Sequence, residues 1–400
     1  MKNLNYVLIS LFILLVAAFL MNCENKYPES LWDPDAPTQP QPVIEQIIPP
    51  DSTYAGVGEI VIKGKNFSPV KEENLVFFSG NRAEVTGASE TEITIKSPKV
   101  TGDSLEIKIA VHKAELFSEP VYYKLKAAVA VTGNLAENNE MAYAIASDKS
   151  GNIYVSIEGK TIKKIDPEGN VSHIADVSFL KANSMKYGPG DMLYAAFAAG
   201  RVKKIATVDV QDGSEGTYAT FSSEPKDLDF DVNGNLWVTT GSDIYLVKPD
   251  QTKTQVKTFP INLKTARVFN GYLYISGFDE ATGEAKIWKA EIQGEALGTE
   301  EVVLDIAAAD WLAGITVNSF TFDADGKMYL ATDNTDAILI YNPTDGSHDI
   351  LFPELIAPNI YSFCWSDGQF IFAVQQLESI SNVLKIDVGK SGAPYYGRQL

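Results

Sequence analysis

The sequence predicts an all-β protein in which a small β-sandwich is followed by a six-bladed β-propeller. Two observations carry this prediction. Between residues 43 and 125, apolar and polar residues alternate in short runs punctuated by Gly and Pro, as they do in antiparallel strands. From residue 126 to the end, one short motif recurs six times. A period near 40 residues, built from strand-like segments, is typical of a propeller.

The N-terminus has the features of an export signal. Lys2 precedes the 16-residue apolar run YVLISLFILLVAAFLM, which is short for a spanning helix of roughly 20 residues and suits a signal peptide over residues 1–22. The run ends in LMNC, which resembles the lipobox of bacterial lipoproteins, although Asn22 departs from the small residue usual there. The resemblance implies that Cys23 is acylated after cleavage. The alternative is a plain signal anchor.

Two segments lie between the signal and the repeats. Residues 23–42 are polar and rich in proline, which predicts an extended, semi-rigid tether. Residues 43–125 contain the pattern IIPPDSTYAGVGEIVIKGKNF followed by VFFSGNRAEV and ITIKSP. This order of strands resembles the IPT/TIG domains, an immunoglobulin-like family. The resemblance implies a spacer or interaction module without chemistry of its own.

The repeated motif, as in DKSGNIYV and DVNGNLWV, predicts a hairpin between the first two strands of each blade over residues 126–400. The copy DADGKMYL begins like a calcium loop, but its Gly comes at position 4 and Asn334 occupies position 12, so we interpret it as a turn. The pattern resembles NHL-type propellers, without their recurrent Arg. Two ring closures remain open. The outer strand of the last blade comes either from PYYGRQL at the C-terminus or from AAVAVTGN at residues 127–134.

Composition excludes some classes of partner. The net charge of −19 and the absence of a long basic cluster argue against nucleic acid, and the same charge disfavours anionic partners in general. Cys23 and Cys364 are too few for a disulfide framework, so Cys364 is predicted to be a lone, buried thiol.

Ligand-binding residues are predicted in the loops between the second and third strands and in the connections between blades, which share one face of a propeller. Trp311 lies in the longest connection, and an aromatic ring there suits stacking under a sugar. The other candidates are the aromatic residues Phe278 and Phe197 and the acidic residues Asp279, Glu280, Asp333 and Asp336. Each has a structural alternative: Trp311 filling a gap between blades, and the acidic residues forming a solvated rim.

Enzymatic function has less support. His112 falls in the sandwich, and His173 and His348 fall in outer strands, away from the channel where a propeller lyase of the streptogramin-inactivating kind places its histidine. Lactonases of the gluconolactonase type hold a metal in the channel with Glu, Asn and Asp. Asn183, Asp227 and Asn318 offer comparable positions, although the surrounding motifs differ. No cofactor is predicted, and a divalent cation is left open.

The order of lipoprotein signal, TIG domain and propeller resembles surface lipoproteins of the Bacteroidota. The resemblance implies an outer-membrane or cell-surface protein that binds a glycan or another nutrient beside an uptake complex, and that contacts the membrane through its lipid anchor only. Two alternatives stay open: a metal-dependent hydrolase or lyase acting in the channel, and an adhesion module that binds protein.

Overall fold

The computed structural model describes residues 38–400. The predicted signal peptide, Cys23 and most of the predicted tether lie outside the described residues. Within 38–400, no helix is both long enough and apolar enough to cross a membrane. The regular structure of this part is β-strand, apart from four single-turn 3-10 helices at Lys71–Glu73, Ala136–Asn138, Asp310–Leu312 and Tyr396–Arg398. The predicted all-β fold is confirmed.

The N-terminal part is a sandwich of two sheets. One sheet has the order β1 (Val43–Ile48), β3 (Glu59–Lys65), β7 (Glu92–Lys96) and β6 (Glu84–Ala88). The other has the order β2 (Ser52–Tyr54), β9 (Val121–Lys126), β8 (Gly102–Val111), β4 (Asn74–Phe78) and β5 (Asn81–Arg82). Because side chains alternate across a strand, Ile60 and Ile62 of β3 share a face, and Ile107 and Ile109 of β8 do likewise. All four are fully buried in one core between the sheets.

The remaining strands form six antiparallel sheets arranged as the blades of a propeller. We label the strands of each blade a to d from the channel outward. Blade 1 is β11 (Ala142–Ser147), β12 (Ile153–Ile157), β13 (Thr161–Ile165) and β14 (Val171–Asp176). Blade 2 is β15 (Ser184–Gly188), β16 (Met192–Ala199), β17 (Val202–Asp209) and β18 (Glu215–Thr220), and blade 3 is β19 (Pro225–Phe230), β20 (Leu236–Thr240), β21 (Asp243–Val247) and β22 (Lys253–Thr258).

The second half of the ring repeats this plan. Blade 4 is β23 (Asn262–Phe269), β24 (Tyr272–Phe278), β25 (Ala285–Gln293) and β27 (Glu301–Asp305), with the short β26 (Ala296–Leu297) also pairing with β25. Blade 5 is β28 (Val317–Phe322), β29 (Met328–Thr332), β30 (Ile338–Tyr341) and β31 (His348–Ile350). Blade 6 is β32 (Ile360–Trp365), β33 (Phe370–Gln376), β34 (Ser381–Asp387) and β10 (Val129–Thr132). Each a strand contacts the a strands of both neighbouring blades, so the ring is closed.

The ring is closed by β10, which is the first strand of the chain after the sandwich. β10 pairs antiparallel with β34, so residues 129–132 supply the d strand of a blade whose other strands end at residue 387. Of the two closures left open by the sequence, the second is therefore the one observed. Joining the first and last parts of the chain in one sheet removes an open edge and ties the ring together.

In blades 1, 3 and 5, the turn between the a and b strands is stabilised by the aspartate that precedes it. Asp231 Oδ1 accepts hydrogen bonds from the backbone N–H groups of Asn233 and Asn235 at 2.9 and 3.0 Å. Asp323 Oδ1 likewise accepts from Lys327 N at 2.9 Å, which confirms that DADGKMYL forms a turn. Gly326 has a φ of +90°, a conformation that glycine adopts at little cost. The equivalent Gly368 of blade 6 is an exception, with no positive φ.

The sandwich contacts the connection between blades 5 and 6. The rings of Tyr54 and Phe352 lie 5.5 Å apart, and Lys99 Nζ is 3.1 Å from a carboxylate oxygen of Glu354. The sandwich therefore packs against the rim of the ring.

Candidate functional site

The first residues of the six a strands surround a cavity of about 510 Å³ at one end of the central channel. Every blade contributes to the lining, as shown by Ile145, Ser184, Asp227, Lys264, Asn318 and Ser362. Propeller loops between b and c strands, and the connections between blades, lie on this same face. The cavity is of the size that holds a small ligand. We call it the mouth cavity.

The opposite end of the channel is covered by residues 391–400, which we call the C-terminal tail. Ala393 N donates to Phe322 O of blade 5 at 2.9 Å. Arg398 Nη1 donates to Ser147 Oγ of blade 1 at 2.6 Å and to Trp365 O of blade 6 at 2.9 Å. All three partners lie at the far ends of a strands. Rather than adding a strand to blade 6, the C-terminus thus crosses the channel and leaves the mouth cavity open at one end.

Close packing of the tail predicts that Gly392→Ala destabilises the protein. A Cβ at Gly392 would lie 2.2 Å from Cγ of the Trp365 ring, which is fully buried and has no room to move. Overpacking of this kind costs about 1–3 kcal/mol, which urea denaturation would measure as a loss of unfolding free energy. Gly368→Ala is the matched control, because its nearest neighbour atom would be 3.9 Å away. Equal stability of both variants would contradict this packing.

Charged side chains fill the channel between the mouth cavity and the tail. Arg267 and Asp229 form an ion pair of 2.6 Å with side chains 1% and 2% exposed. Burial lowers the pKa of Lys186, but the acidic groups of Tyr395, Asp227 and Asp229 outweigh burial, so the pKa is raised above its usual value. Burial raises the pKa of Asp227, against the opposing effect of Lys186. This part of the channel is therefore polar and charged, with one buried ion pair.

Polar side chains also line the mouth cavity. Lys264 Nζ donates to Val317 O at 3.0 Å and to Asn318 Oδ1 at 3.3 Å. Burial lowers the pKa of Lys264, partly offset by Asp333. Lys226, on the neighbouring a strand of blade 3, is paired with Glu224 at 2.6 Å. The cavity thus offers cations and amide groups to a bound molecule.

Two aromatic side chains give the mouth cavity apolar surface. Phe278, at the end of β24, is 44% exposed, which is high for so large an apolar residue. Tyr361 of β32 is half-buried and packs edge-on against Tyr143 at 5.6 Å. Burial raises the pKa of its hydroxyl. Flat rings beside polar groups suit a ligand with both apolar and hydroxyl-bearing faces.

Of the three predicted aromatic residues, only Phe278 lines the mouth cavity. The placement of Phe197 in a loop is wrong: it lies within β16, 1% exposed, and stacks on Phe179 at 4.4 Å. Trp311 lies in a 3-10 helix, partly buried, and its ring stacks on His348 at 4.4 Å, outside the residues that line the cavity. His173 and His348 lie in outer strands as predicted, and Cys364 is buried, with its pKa raised by burial to about 11.

The predicted acidic residues mostly stabilise their own loops. Asp279 Oδ1 accepts from Ala281 N at 2.9 Å, and Asp333 Oδ1 accepts from Thr316 N at 2.9 Å. Asp336 contributes its backbone carbonyl to Thr332 Oγ1 at 2.9 Å. These three aspartates are not among the residues that line the mouth cavity, although Glu280, next to Asp279, is.

The three positions suggested for a metal, Asn183, Asp227 and Asn318, do line the mouth cavity. Asp227 Oδ1 and Oδ2 accept from backbone N–H groups at 2.8 and 2.9 Å, and Asn318 Oδ1 accepts from Lys264. Throughout residues 38–400, no three His, Cys, Asp or Glu side chains are grouped to hold a metal ion. The oxygens of Asp227 and Asn318 thus already accept hydrogen bonds within the protein, and the neighbouring lysines oppose a cation.

Lys264 and Tyr361 were not predicted from the sequence. Each is one of the first residues of its a strand. Their positions in the sequence could have identified them, since residues at the start of every a strand face the same end of the channel. The loops, where side chains were sought, contribute less to the lining than these strand ends.

The fold and the site define a class of protein: a sandwich joined to a six-bladed propeller, with a polar cavity that opens at one end of the propeller channel only. The chain matches the IPT/TIG domain family over residues 42–124. No curated protein sequence matches the chain.

Several solved structures share the fold. An auxiliary nutrient binding protein from Bacteroides thetaiotaomicron is 14% identical with a TM-score of 0.54, covering 89% of this chain and 98% of its own. Another auxiliary nutrient binding protein, from Bacteroides ovatus, is 13% identical with a TM-score of 0.52, covering 86% and 97%. A gluconolactonase from Xanthomonas campestris is 12% identical with a TM-score of 0.50, covering 72% and 91%. At these identities the likeness establishes the fold alone.

Proposed function

We propose that this protein binds a small, hydroxyl-rich nutrient of the glycan class in the mouth cavity, without chemical conversion. The observation that carries the proposal is the cavity itself, closed at its far end by the C-terminal tail and lined by both amides and aromatic rings. The N–H groups of Asn183 and Asn318 are bonded within the protein, so it is their amide oxygens that can accept hydrogen bonds from hydroxyls. Phe278 offers a flat apolar face. The name given to the two Bacteroides proteins of the same fold is consistent with this proposal.

The proposed setting is the outside of the cell. The lipobox-like LMNC and the Pro-rich tether lead us to propose a lipoprotein anchored through Cys23, with the propeller held away from an outer membrane. In this setting the protein would pass its ligand to an uptake complex. Mass spectrometry of the N-terminal peptide of the mature protein tests the anchor, because an unmodified Cys23 would exclude it.

A pair of variants locates the binding surface. Phe278→Ala is expected to weaken glycan binding about tenfold, because an exposed ring in the cavity stacks on the ligand. Trp311→Ala tests the rim of the ring. Contact between Trp311 and a ligand stays a prediction, and in the structure its side chain packs on His348 and Tyr341. Titration calorimetry on the full-length chain in detergent, with a hit from a glycan array, measures both affinities. Weaker binding by Trp311→Ala alone would move the ligand from the cavity to the rim.

Metal removal separates the binder from the channel enzyme. We expect affinity to be unchanged after treatment with EDTA, since Lys264 and Lys186 disfavour a divalent cation beside Asn318 and Asp227. Loss of binding in EDTA, restored by one added metal ion, would favour the metal-dependent hydrolase or lyase. Binding of a protein and of no glycan would favour the adhesion module.

A further inference from the structure

Three lysines line the mouth cavity, Lys186 at its base and Lys226 and Lys264 nearer the opening, and the latter two differ in their partners. Lys226 has Glu224 at 2.6 Å. Lys264 has no carboxylate within 4.0 Å among residues 38–400, and two neutral oxygens, on Val317 and Asn318, accept its hydrogen bonds. An ammonium group has three N–H donors, so one donor of Lys264 remains for a bound molecule. Lys264 is therefore a partly buried cation in the cavity wall without a direct counter-ion.

The channel below this lysine carries further charged side chains. Lys186, Arg267 and Arg398 lie there with Asp227 and Asp229. Two acidic residues lie nearer the opening: Glu280 is exposed on the cavity lining, and Asp333 is engaged by Thr316 N. A cavity with low-dielectric walls concentrates the field of the charges within it. The channel and its cavity thus hold charges of both signs, and among them Lys264 has no carboxylate in direct contact.

A partly buried ammonium group without a counter-ion costs folding free energy, since its hydration is reduced without a compensating charge. A ligand anion at Lys264 would supply the missing charge and accept the remaining N–H in a charge-assisted hydrogen bond. The whole-chain charge, which disfavours anionic partners, does not describe this cavity.

We infer that the ligand is an acidic sugar, whose carboxylate binds Lys264 while its hydroxyls bind Asn183 and Asn318 and its ring packs on Phe278. This inference rests on the proposed glycan-binding function and names the class of glycan. The carboxylate of a uronic acid residue is the simplest anion that comes with a hydroxyl-rich ring. A sulfated sugar presents related chemistry and is included in the test.

The test compares matched sugars on the full-length chain in detergent. The probes are short uronic acid oligosaccharides, the same oligosaccharides with each carboxyl group reduced to a primary alcohol, and sulfated neutral oligosaccharides. We expect the uronic acid probes to bind at least tenfold more tightly than their reduced forms. Lys264→Met should weaken uronic acid binding about 10- to 100-fold, and should weaken it at least tenfold more than it weakens the binding of the reduced forms.

Two controls make the result specific. Lys226→Met removes a cation that already has a partner, so it should change affinity much less than Lys264→Met. Circular dichroism and thermal unfolding should show both variants folded. Equal affinity for the acidic and reduced probes, or equal effects of the two lysine variants, would overturn the inference while leaving glycan binding in place. Tighter binding of the sulfated probes would overturn the carboxylate assignment. Binding of no probe would overturn the proposed function and the inference with it.

Discussion

Arg267→Met is expected to lower the free energy of unfolding by about 3–5 kcal/mol, because removing one partner of a buried ion pair leaves the other charge uncompensated. Asp229 is 2% exposed, so its carboxylate would lose the guanidinium 2.6 Å away without access to bulk water. Arg267 also donates to Pro394 O of the tail at 2.8 Å and lies 3.7 Å from the centre of the Tyr395 ring. Thermal and urea unfolding measure the loss.

The matched controls for Arg267→Met distinguish the effect of breaking the ion pair from the effect of removing any arginine. Arg201→Met changes an exposed arginine and should leave stability within about 0.5 kcal/mol of the parent chain. The double variant Arg267→Met/Asp229→Asn removes both charges and should recover part of the loss, since no buried charge is left unpaired. A loss below about 1 kcal/mol in the single variant would show that the pair does not stabilise the ring.

Deletion of residues 391–400 is expected to destabilise the propeller by at least about 5 kcal/mol, because several buried side chains leave at once. Tyr395 and Arg398 are each 6% exposed, and Ala393 is 1% exposed. Their removal uncovers the far ends of the a strands and the charged side chains that fill the channel above them. Hydrogen exchange would show the effect as faster exchange at the ends of β11 and β32, together with a lower unfolding temperature.

A shorter deletion is the control for this experiment. Gln399 and Leu400 are exposed, so removing only these two residues keeps Arg398 and the rest of the tail in place. This truncation should unfold close to the temperature of the full chain. If the ten-residue deletion behaved in the same way, the tail would be a surface feature rather than a closure of the channel.

The number of blades and the positions of their turns followed from the sequence because a blade is a local meander. Each hairpin is specified by residues a few positions apart, such as Asp323 and Lys327, and each copy carries its own turn residues. Periodicity in the chain therefore maps directly onto periodicity in the fold. The three histidines were placed away from the channel by the same local reasoning.

Burial within the blades was harder to predict. Alternation identifies the inner face of a strand when one face is in water, but in a propeller both faces of a blade pack against neighbouring blades. All five residues of β12 are buried, and so are all five of β20. Phe197 is the last buried residue of β16. Without an alternating pattern, the sequence does not separate it from the loop that follows, although it packs in the core.

The sequence by itself determined the strands, the turns and the order of the two domains, because these depend on neighbours in the chain. Only the tertiary structure decided that β10 completes blade 6, that the tail covers one end of the channel, and that the other end holds a cavity with Lys264 in its wall. The residues that meet there come from six strands about 40 residues apart in sequence, and they are brought together only when the ring closes.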